Sequence, residues 1–267
     1  MDTLNLNDSG PDVVKLQQAL ATRGFPPGTI DGTFGAGTEA ALIGFQKSAN
    51  LLPDGKAGPR TLTALGLVDN ADLPTAIPHV TVQVVSKMFP ATPLGNIKRH
   101  LPTVVDALVG RHLSDKSMVL MALATIRAET EGFVPIDEGL SRFNTSPGGH
   151  AFDLYDMRTD IGNRGTPDGE RYKGRGFIQL TGRANYRRYG PKLSQPFDLE
   201  ANPDRANDPA VAAELLALFI GDKERQIKQA LNEGDLRHAR RLVNGGSHGL
   251  DQFTAAFKAG DALIPDA

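Results

Sequence analysis

Two glutamates nine residues apart, Glu129 and Glu138, are the residues whose type and spacing point most directly to chemistry. One carboxyl that donates a proton and a second that activates water or attacks the sugar are the minimum for breaking a glycosidic bond. Glu129 falls in Ser114–Phe133, S-D-K-S-M-V-L-M-A-L-A-T-I-R-A-E-T-E-G-F, an almost continuous apolar helix that Ser114 is expected to cap and Gly132 to end. Met118, Met121, Ala122, Thr125 and Ile126 recur at three- and four-residue steps, and Glu129 continues that face. Desolvation at the end of an apolar stripe disfavours the charged form, and a glutamic acid kept protonated near neutral pH is what general-acid cleavage needs. Arg127 and Glu131 point elsewhere, spaced to pair at i,i+4. Taken alone, Glu129 reads equally well as a carboxyl surfacing at a helix end. The spacing to Glu138 is a weak signal by itself, and Asp137, Glu131 and Glu170 are chemically able to take its part.

The elements that must position these groups are mostly helical. Val82, Val85 and Phe89 share one face, followed by Ile97, Leu101, Val104, Val105 and Leu108, with Pro102 expected to open a new helix. Asp208-Pro209 starts a helix that turns Val211, Leu215, Phe219 and Ile220 inward, and Phe253, Phe257 and Leu263 continue the core. Between them, Phe133–Lys173 is loop-like, dense in Gly, Pro, Asn and Asp, and carries Glu138. In Arg171–Gly190, R-Y-K-G-R-G-F-I-Q-L-T-G-R-A-N-Y-R-R-Y-G, Gly174 and Gly176 allow close backbone approach. Phe177-Ile178-x-Leu180 reads as a short strand whose Gln179 and Thr181 project amide and hydroxyl groups suited to a sugar.

The chain has 267 residues, 40% of them hydrophobic, enough for one large or two unequal domains. It has no cysteine, which removes disulfides, thiolate metal sites and cysteine nucleophiles. Its six histidines show no metal-ligand spacing and no H-E-x-x-H occurs, so neither a zinc amidase nor any metal or cofactor is expected. Met1 leads straight into polar residues, and no apolar run approaches a membrane span. The expectation is synthesis in the cytoplasm without a signal peptide and no membrane insertion. Net charge is −2, but Arg158–Lys192 holds nine basic residues against three acidic ones. Such a flank would attract an anionic polymer, although a solvated loop is the commoner explanation. A nucleic-acid partner is not expected, because the whole chain is not basic and the run lacks a recognition motif.

Residues 1–67 contain an internal repeat. Asp31-Gly32-x-x-Gly35-x-x-Thr38-x-x-Ala41-Leu42 returns as Asp54-Gly55-x-x-Gly58-x-x-Thr61-x-x-Ala64-Leu65, each copy a D-G turn followed by an amphipathic helix. An earlier helix, with Ser9 as cap and Pro11 in its first turn, buries Val13, Leu16 and Leu20 before Gly24 stops it. These pieces, with Phe45-Gln46 and L-L-P-D-G-x-x-G-P-R-T-L, resemble the small peptidoglycan-binding domain of cell-wall enzymes. On the bland reading, Asp31, Asp54 and the glycines only shape turns and core. Residues 68–79, proline-bearing and without periodicity, read as a linker.

The segment Tyr172–Tyr186 closely resembles the signature Y-x-G-R-G-x-I-Q-L-[ST]-x-x-x-N-Y of family 19 glycoside hydrolases, the chitinase and phage-type endolysin group. A-E-T-E-G-F at Ala128–Phe133 is similar to that family's H-E-T-x-G block, and L-V-N-G-G at Leu242–Gly246 to its late N-G-G block. The resemblance covers about Val80 to the C-terminus. It implies a mainly α (α+β) protein: a small three-helix wall-binding domain over 1–67 and a larger, mostly helical, lysozyme-like catalytic domain over 80–267. By position it makes Glu129 the general acid, Glu138 the base of an inverting reaction and Thr181 a hydroxyl that helps hold the attacking water. Tyr172, Gln179, Asn185 and Asn244 become substrate contacts. The family's usual histidine is Ala128 here, and the base lies closer to the acid than in plant chitinases. With the plant disulfides also absent, bacterial peptidoglycan is the expected partner of a monomer made in the cytoplasm, that of the host if phage-encoded, which acts on the wall after release. The alternatives are a chitinase, a lytic transglycosylase using Glu129 alone, and a wall-binding protein without catalysis.

Overall fold

A computed structural model describes residues 1–49, 51–69, 75–244 and 249–265. Part of the expected linker (70–74), Gly245 and Gly246 of the N-G-G block, and His248 lie outside the described residues. In chain order the helices are α1 (Pro11–Thr22), α2 (Ala36–Ser48), α3 (Pro59–Leu65), α4 (Val82–Met88), α5 (Leu94–Gly110), α6 (Lys116–Thr130), α7 (Asp153–Asp156), α8 (Asp168–Arg171), α9 (Arg183–Tyr189), α10 (Pro209–Gly221), α11 (Glu224–Asn232), α12 (Leu236–Asn244) and α13 (Leu250–Leu263). Two short strands, β1 (Ile136–Asp137) and β2 (Arg175–Gly176), pair antiparallel. The protein is mainly helical, as expected. Among the described residues no helix is long and apolar enough to cross a membrane.

The chain divides into two compact units: Met1–Thr75 with Glu224–Asp235, and Ala76–Lys223 with Leu236–Ala267. In the first, α1, α2 and α3 close over Val13, Leu16, Leu20, Phe34, Leu42, Phe45 and Leu62. The two repeat copies are each built around a buried glutamine. Gln17 Nε2 lies 3.1 Å from Asp31 Oδ1, Thr33 O and Thr38 Oγ1, while its Oε1 accepts from Gly32 N at 2.9 Å. Gln46 does the same for the second copy, with Asp54 Oδ1 at 3.0 Å, Lys56 O at 2.9 Å, Thr61 Oγ1 at 3.3 Å and Gly55 N at 3.1 Å. Gly32 and Gly55 stand at φ +73° and +72°, conformations that favour glycine. Asp31, Asp54 and these glycines thus shape turns around one amide. The backbone of Gly10, not Ser9, caps α1, with no side-chain bond. Helix α11 returns to this unit, where Glu224 pairs with Arg60 and Lys228.

In the second unit every side chain from Met118 to Ile126 of α6 is buried, more than the expected stripe. Helix α13 lies along α6, and α10 and α4 also pack on it. Gly260 permits this approach, because a Cβ there would meet Leu120 Cδ2 at 2.4 Å and Met88 Cε at 2.7 Å. Four expected details differ. Asp115, not Ser114, caps α6 by accepting from Met118 N at 3.3 Å. The helix ends at Thr130 because Glu131 takes φ 45°, its carbonyl accepting from Arg127 Nη1 at 3.0 Å and Thr92 Oγ1 at 2.6 Å. Arg127 therefore engages the backbone of Glu131 and not the anticipated carboxylate. Pro102 sits inside α5; the bond its missing N–H would make to Lys98 is lost, yet burial of Ile97, Leu101, Val104 and Leu108 keeps the helix continuous.

The expected strand at 177–180 is also displaced. Pairing with β1 falls on Arg175–Gly176, and Phe177–Gln179 form the turn that brings Leu180 back to Arg175, N to O 2.9 Å. Gly176 at φ 78° and Gln179 at φ 51° make the reversal, which an extended 177–180 would prevent. After it, α9 is fastened by Glu200, whose carboxylate accepts from Arg183 Nε at 2.7 Å and Arg187 Nε at 2.6 Å.

Replacing Gln46 with Leu should lower the stability of the first unit by about 1–3 kcal/mol, because the Gly55 N–H and the groups around it lose their buried partner. Exposed Gln18→Leu should change it by less than about 0.5 kcal/mol; urea titration of both checks this. Arg187 and Arg183 hold the Glu200 carboxyl at about 2, down from 4.5. Since the folded value is depressed, this contribution is present above pH 4.5 and is lost as pH falls toward 2. Glu200→Gln should cost about 1–3 kcal/mol near pH 6 and converge on the wild type only below pH ~2, read from midpoints across a pH series.

Candidate active site

The last turn of α6 brings Glu129 against α12. Arg240 Nη2 donates to Glu129 Oε1 at 2.8 Å, with side-chain exposures of 0% and 9%. In the amide orientation that satisfies both its atoms, Asn244 donates to Glu129 Oε1 at 3.3 Å and accepts from Arg240 Nη2 at 3.1 Å. Glu129 is thus not the lone carboxyl of an apolar face: a buried guanidinium faces it, and that guanidinium stands 5.9 Å from the centroid of the Phe253 ring. Ala128, where the resembled block has histidine, lies under Gly249. A Cβ on Gly249 would stand 3.0 Å from the Ala128 carbonyl and 3.1 Å from its Cβ, so two small residues meet there.

Glu138 follows β1 directly and is held against the opposite strand. Its N–H donates to Gly174 O at 2.8 Å, and Gly174 N donates back to Glu138 Oε2 at 3.0 Å. Oε1 accepts from Asn144 Nδ2 at 3.0 Å and from the Tyr155 hydroxyl at 2.8 Å. Burial, then the bond to Glu138, pushes the Tyr155 phenol well above its ordinary range and keeps it a donor. A Cβ on Gly174 would stand 2.8 Å from Gln179 Oε1 and 3.0 Å from Glu138 Oε2, so a larger residue there would displace both side chains. Gln179 Nε2 donates to Ile136 O at 2.9 Å, Thr181 Oγ1 to Gln179 O at 2.8 Å, and Asn185 Nδ2 to Thr181 O at 2.7 Å. Glu138, Gln179, Thr181 and Asn185 therefore form one linked group around the hairpin. Tyr172 belongs beneath it: the ring is 1% exposed, stacked on Tyr186, with its hydroxyl on Glu200 O at 3.3 Å. That burial leaves Tyr172 no surface for a ligand in this conformation.

Phe133 joins the two groups. It is fully buried at φ 55°, two residues after Glu131, and meets Phe89 at 4.9 Å and Phe177 at 6.0 Å in edge-on contacts. The first fixes how the chain leaves α6, and the second ties that exit to the hairpin turn. The carboxyls considered as substitutes for Glu138 are otherwise disposed. Asp137 pairs with Lys173 at 3.1 Å and accepts from Asn207 at 2.6 Å, while Glu131 and Glu170 are exposed. The basic run of 158–192 is largely neutralised by its neighbours: Arg158 by Asp160, Arg175 by Asp204, Arg183 and Arg187 by Glu200, and Arg188 and Lys192 by Asp222. Those six cations share four carboxylates, so the run keeps part of its positive charge.

Sequence reasoning missed Arg240, Asn144 and Tyr155. Arg240 had a signal, since it precedes Asn244 by four residues in R-R-L-V-N and so shares its helix face. Asn144 and Tyr155 had none, because they reach Glu138 across irregular loop.

Over 68 residues, 26% of each chain, the protein is 44% identical to a spore cortex-lytic enzyme of Bacillus cereus. Over 56 residues, 21% of this chain and 14% of the relative, it is 45% identical to the N-acetylmuramoyl-L-alanine amidase CwlM of Mycobacterium tuberculosis. The chain thus spans about a quarter or less of the curated relatives it matches. Among solved structures, chitinase C from Streptomyces griseus is similar with TM-score 0.48 and 21% identity, over 70% of this chain and 79% of that one. A Burkholderia AP3 phage endolysin matches with TM-score 0.25 and 18% identity, over 98% and 99%. Residues 9–65 match the family model described as "Putative peptidoglycan binding domain".

Proposed function

We propose that this protein is a peptidoglycan hydrolase of lysozyme type, which binds the bacterial wall through residues 1–67 and cuts its glycan through residues 80–267. Glu129 is the general acid and Glu138 the base of an inverting hydrolysis. Thr181 helps hold the attacking water, and Gln179, Asn185 and Asn244 contact the substrate. The observation that carries this reading is the unlike housing of the two carboxyls. Glu138 accepts hydrogen bonds from Asn144, Tyr155 and Gly174, which fix the orientation of the carboxylate that is to take a proton from water. Glu129 stands almost closed from solvent, where desolvation favours the neutral acid, and beside the Arg240 guanidinium, which favours the carboxylate left once the proton has passed to the leaving oxygen. Two carboxyls in environments this different suit opposite roles at one bond. The match of residues 9–65 and the names of the curated relatives, a cortex-lytic enzyme and an amidase, support a wall substrate. Product mass separates hydrolysis from lytic transglycosylation: hydrolysis adds one water and leaves a reducing end.

Glu129→Gln should reduce release of reducing ends from purified walls by at least about a hundredfold. Because an amide oxygen answers the buried Arg240 guanidinium less well than a carboxyl does, it should also cost about 1–3 kcal/mol of stability, measured by thermal melting. Activity near wild type in a variant folded at the assay temperature would remove Glu129 from the mechanism. Glu138→Ala should be nearly inactive in buffer and partly restored by azide, yielding a glycosyl azide of inverted configuration. A retained product, identified by NMR, overturns Glu138 as base.

A further inference from the structure

Half of the large hydrophobic side chains exposed among the described residues fall within one stretch of 22 residues, Ile136, Leu140, Phe143, Leu154 and Met157, around Glu138. Met157, Phe143 and Leu140 are the most exposed of all at 72%, 71% and 66%. The loop that displays them is ordered from within. Asn144, fully buried, accepts from Ser141 N at 2.8 Å and donates to Gly139 O at 2.9 Å and Glu138 Oε1 at 3.0 Å. Leu154 N donates to Asn144 O at 3.2 Å, and the next residue, Tyr155, reaches Glu138. Phe143 and Leu154 therefore flank the two residues that hold the Glu138 carboxylate. An ordered loop that keeps apolar side chains in water beside a candidate catalytic group is a binding feature, since hydration disfavours such display.

The cation in this rim indicates what binds. Arg142 is exposed and stands 4.9 Å from the centroid of the Phe143 ring, and among the described residues no carboxylate pairs with it. An uncharged polysaccharide has nothing for a guanidinium to pair with. A glycan carrying short peptides offers carboxylates together with methyl groups, which match Arg142 and the apolar rim.

Resting on the hydrolase reading above, we propose that the rim formed by Leu140, Arg142, Phe143, Leu154 and Met157 is a subsite for the peptide stems of the glycan, selecting peptide-bearing wall over bare glycan. The test compares cutting rates of the full chain on purified peptidoglycan and on the same glycan after enzymatic removal of its peptides. The wild type should prefer the peptide-bearing form. Phe143→Ser and Arg142→Gln should each lower that preference by about fivefold, and Arg142→Glu by more, with rates on stripped glycan unchanged. All three changes are at exposed positions, and circular dichroism checks their folding. Because the N-terminal module is the same in every variant, its own affinity for wall cancels from the comparison. Equal cutting of both substrates by the wild type, or variants that slow both alike, overturns the subsite. If the wild type cuts neither, the hydrolase reading itself fails.

Discussion

Between Met118 and Ile126 no side chain of α6 reaches water, so the helix has to be wrapped by α13, α10 and α4, and polar groups can appear only at its ends. Glu129 sits where that constraint relaxes. It is close enough to the core that its charge needs a partner, which α12 supplies as Arg240, and close enough to the end that 9% of its side chain stays exposed. The same burial explains Gly260: a helix seated this tightly on α6 and α4 leaves no room for a side chain at the crossing.

Leaving α6 requires two left-handed residues that are not glycine, Glu131 and Phe133, a costly exit that surrounding contacts must hold. Backbone bonds to Glu131 O and the edge-on contacts of Phe133 with Phe89 and Phe177 do so. From there the chain reaches β1, and the pairing of Ile136 with Gly176 and Asp137 with Arg175 sets where Glu138 begins. The hairpin turn contributes both Phe177, inward to this aromatic contact, and Gln179, whose amide holds the carbonyl of Ile136 two residues before Glu138. One turn thus links core packing to the candidate base.

In the first unit, polar burial replaces what a small core cannot supply. Gln17 and Gln46 are each 1% exposed and fully occupied, so each D-G turn is fastened to a helix by a side-chain amide where a backbone ladder is lacking. The sequence repeat is the outward trace of that device, with the threonines of α2 and α3 as its third members.

By itself the sequence determined the predominance of helix, the repeat-bearing N-terminal module, the buried identity of α6 and the candidacy of Glu129 and Glu138. Each is written in local periodicity or in residue types close in the chain. Tertiary structure alone decided that Arg240 faces Glu129 across 111 positions, a contact local patterning cannot encode. It also decided that Asn144 and Tyr155 hold Glu138 through loop without periodicity, and that α11 belongs with the N-terminal module. The strand read at 177–180 failed for a related reason. Apolar alternation there serves a tight turn whose inward residue packs on Phe133, and only the partner strand fixes which two residues pair.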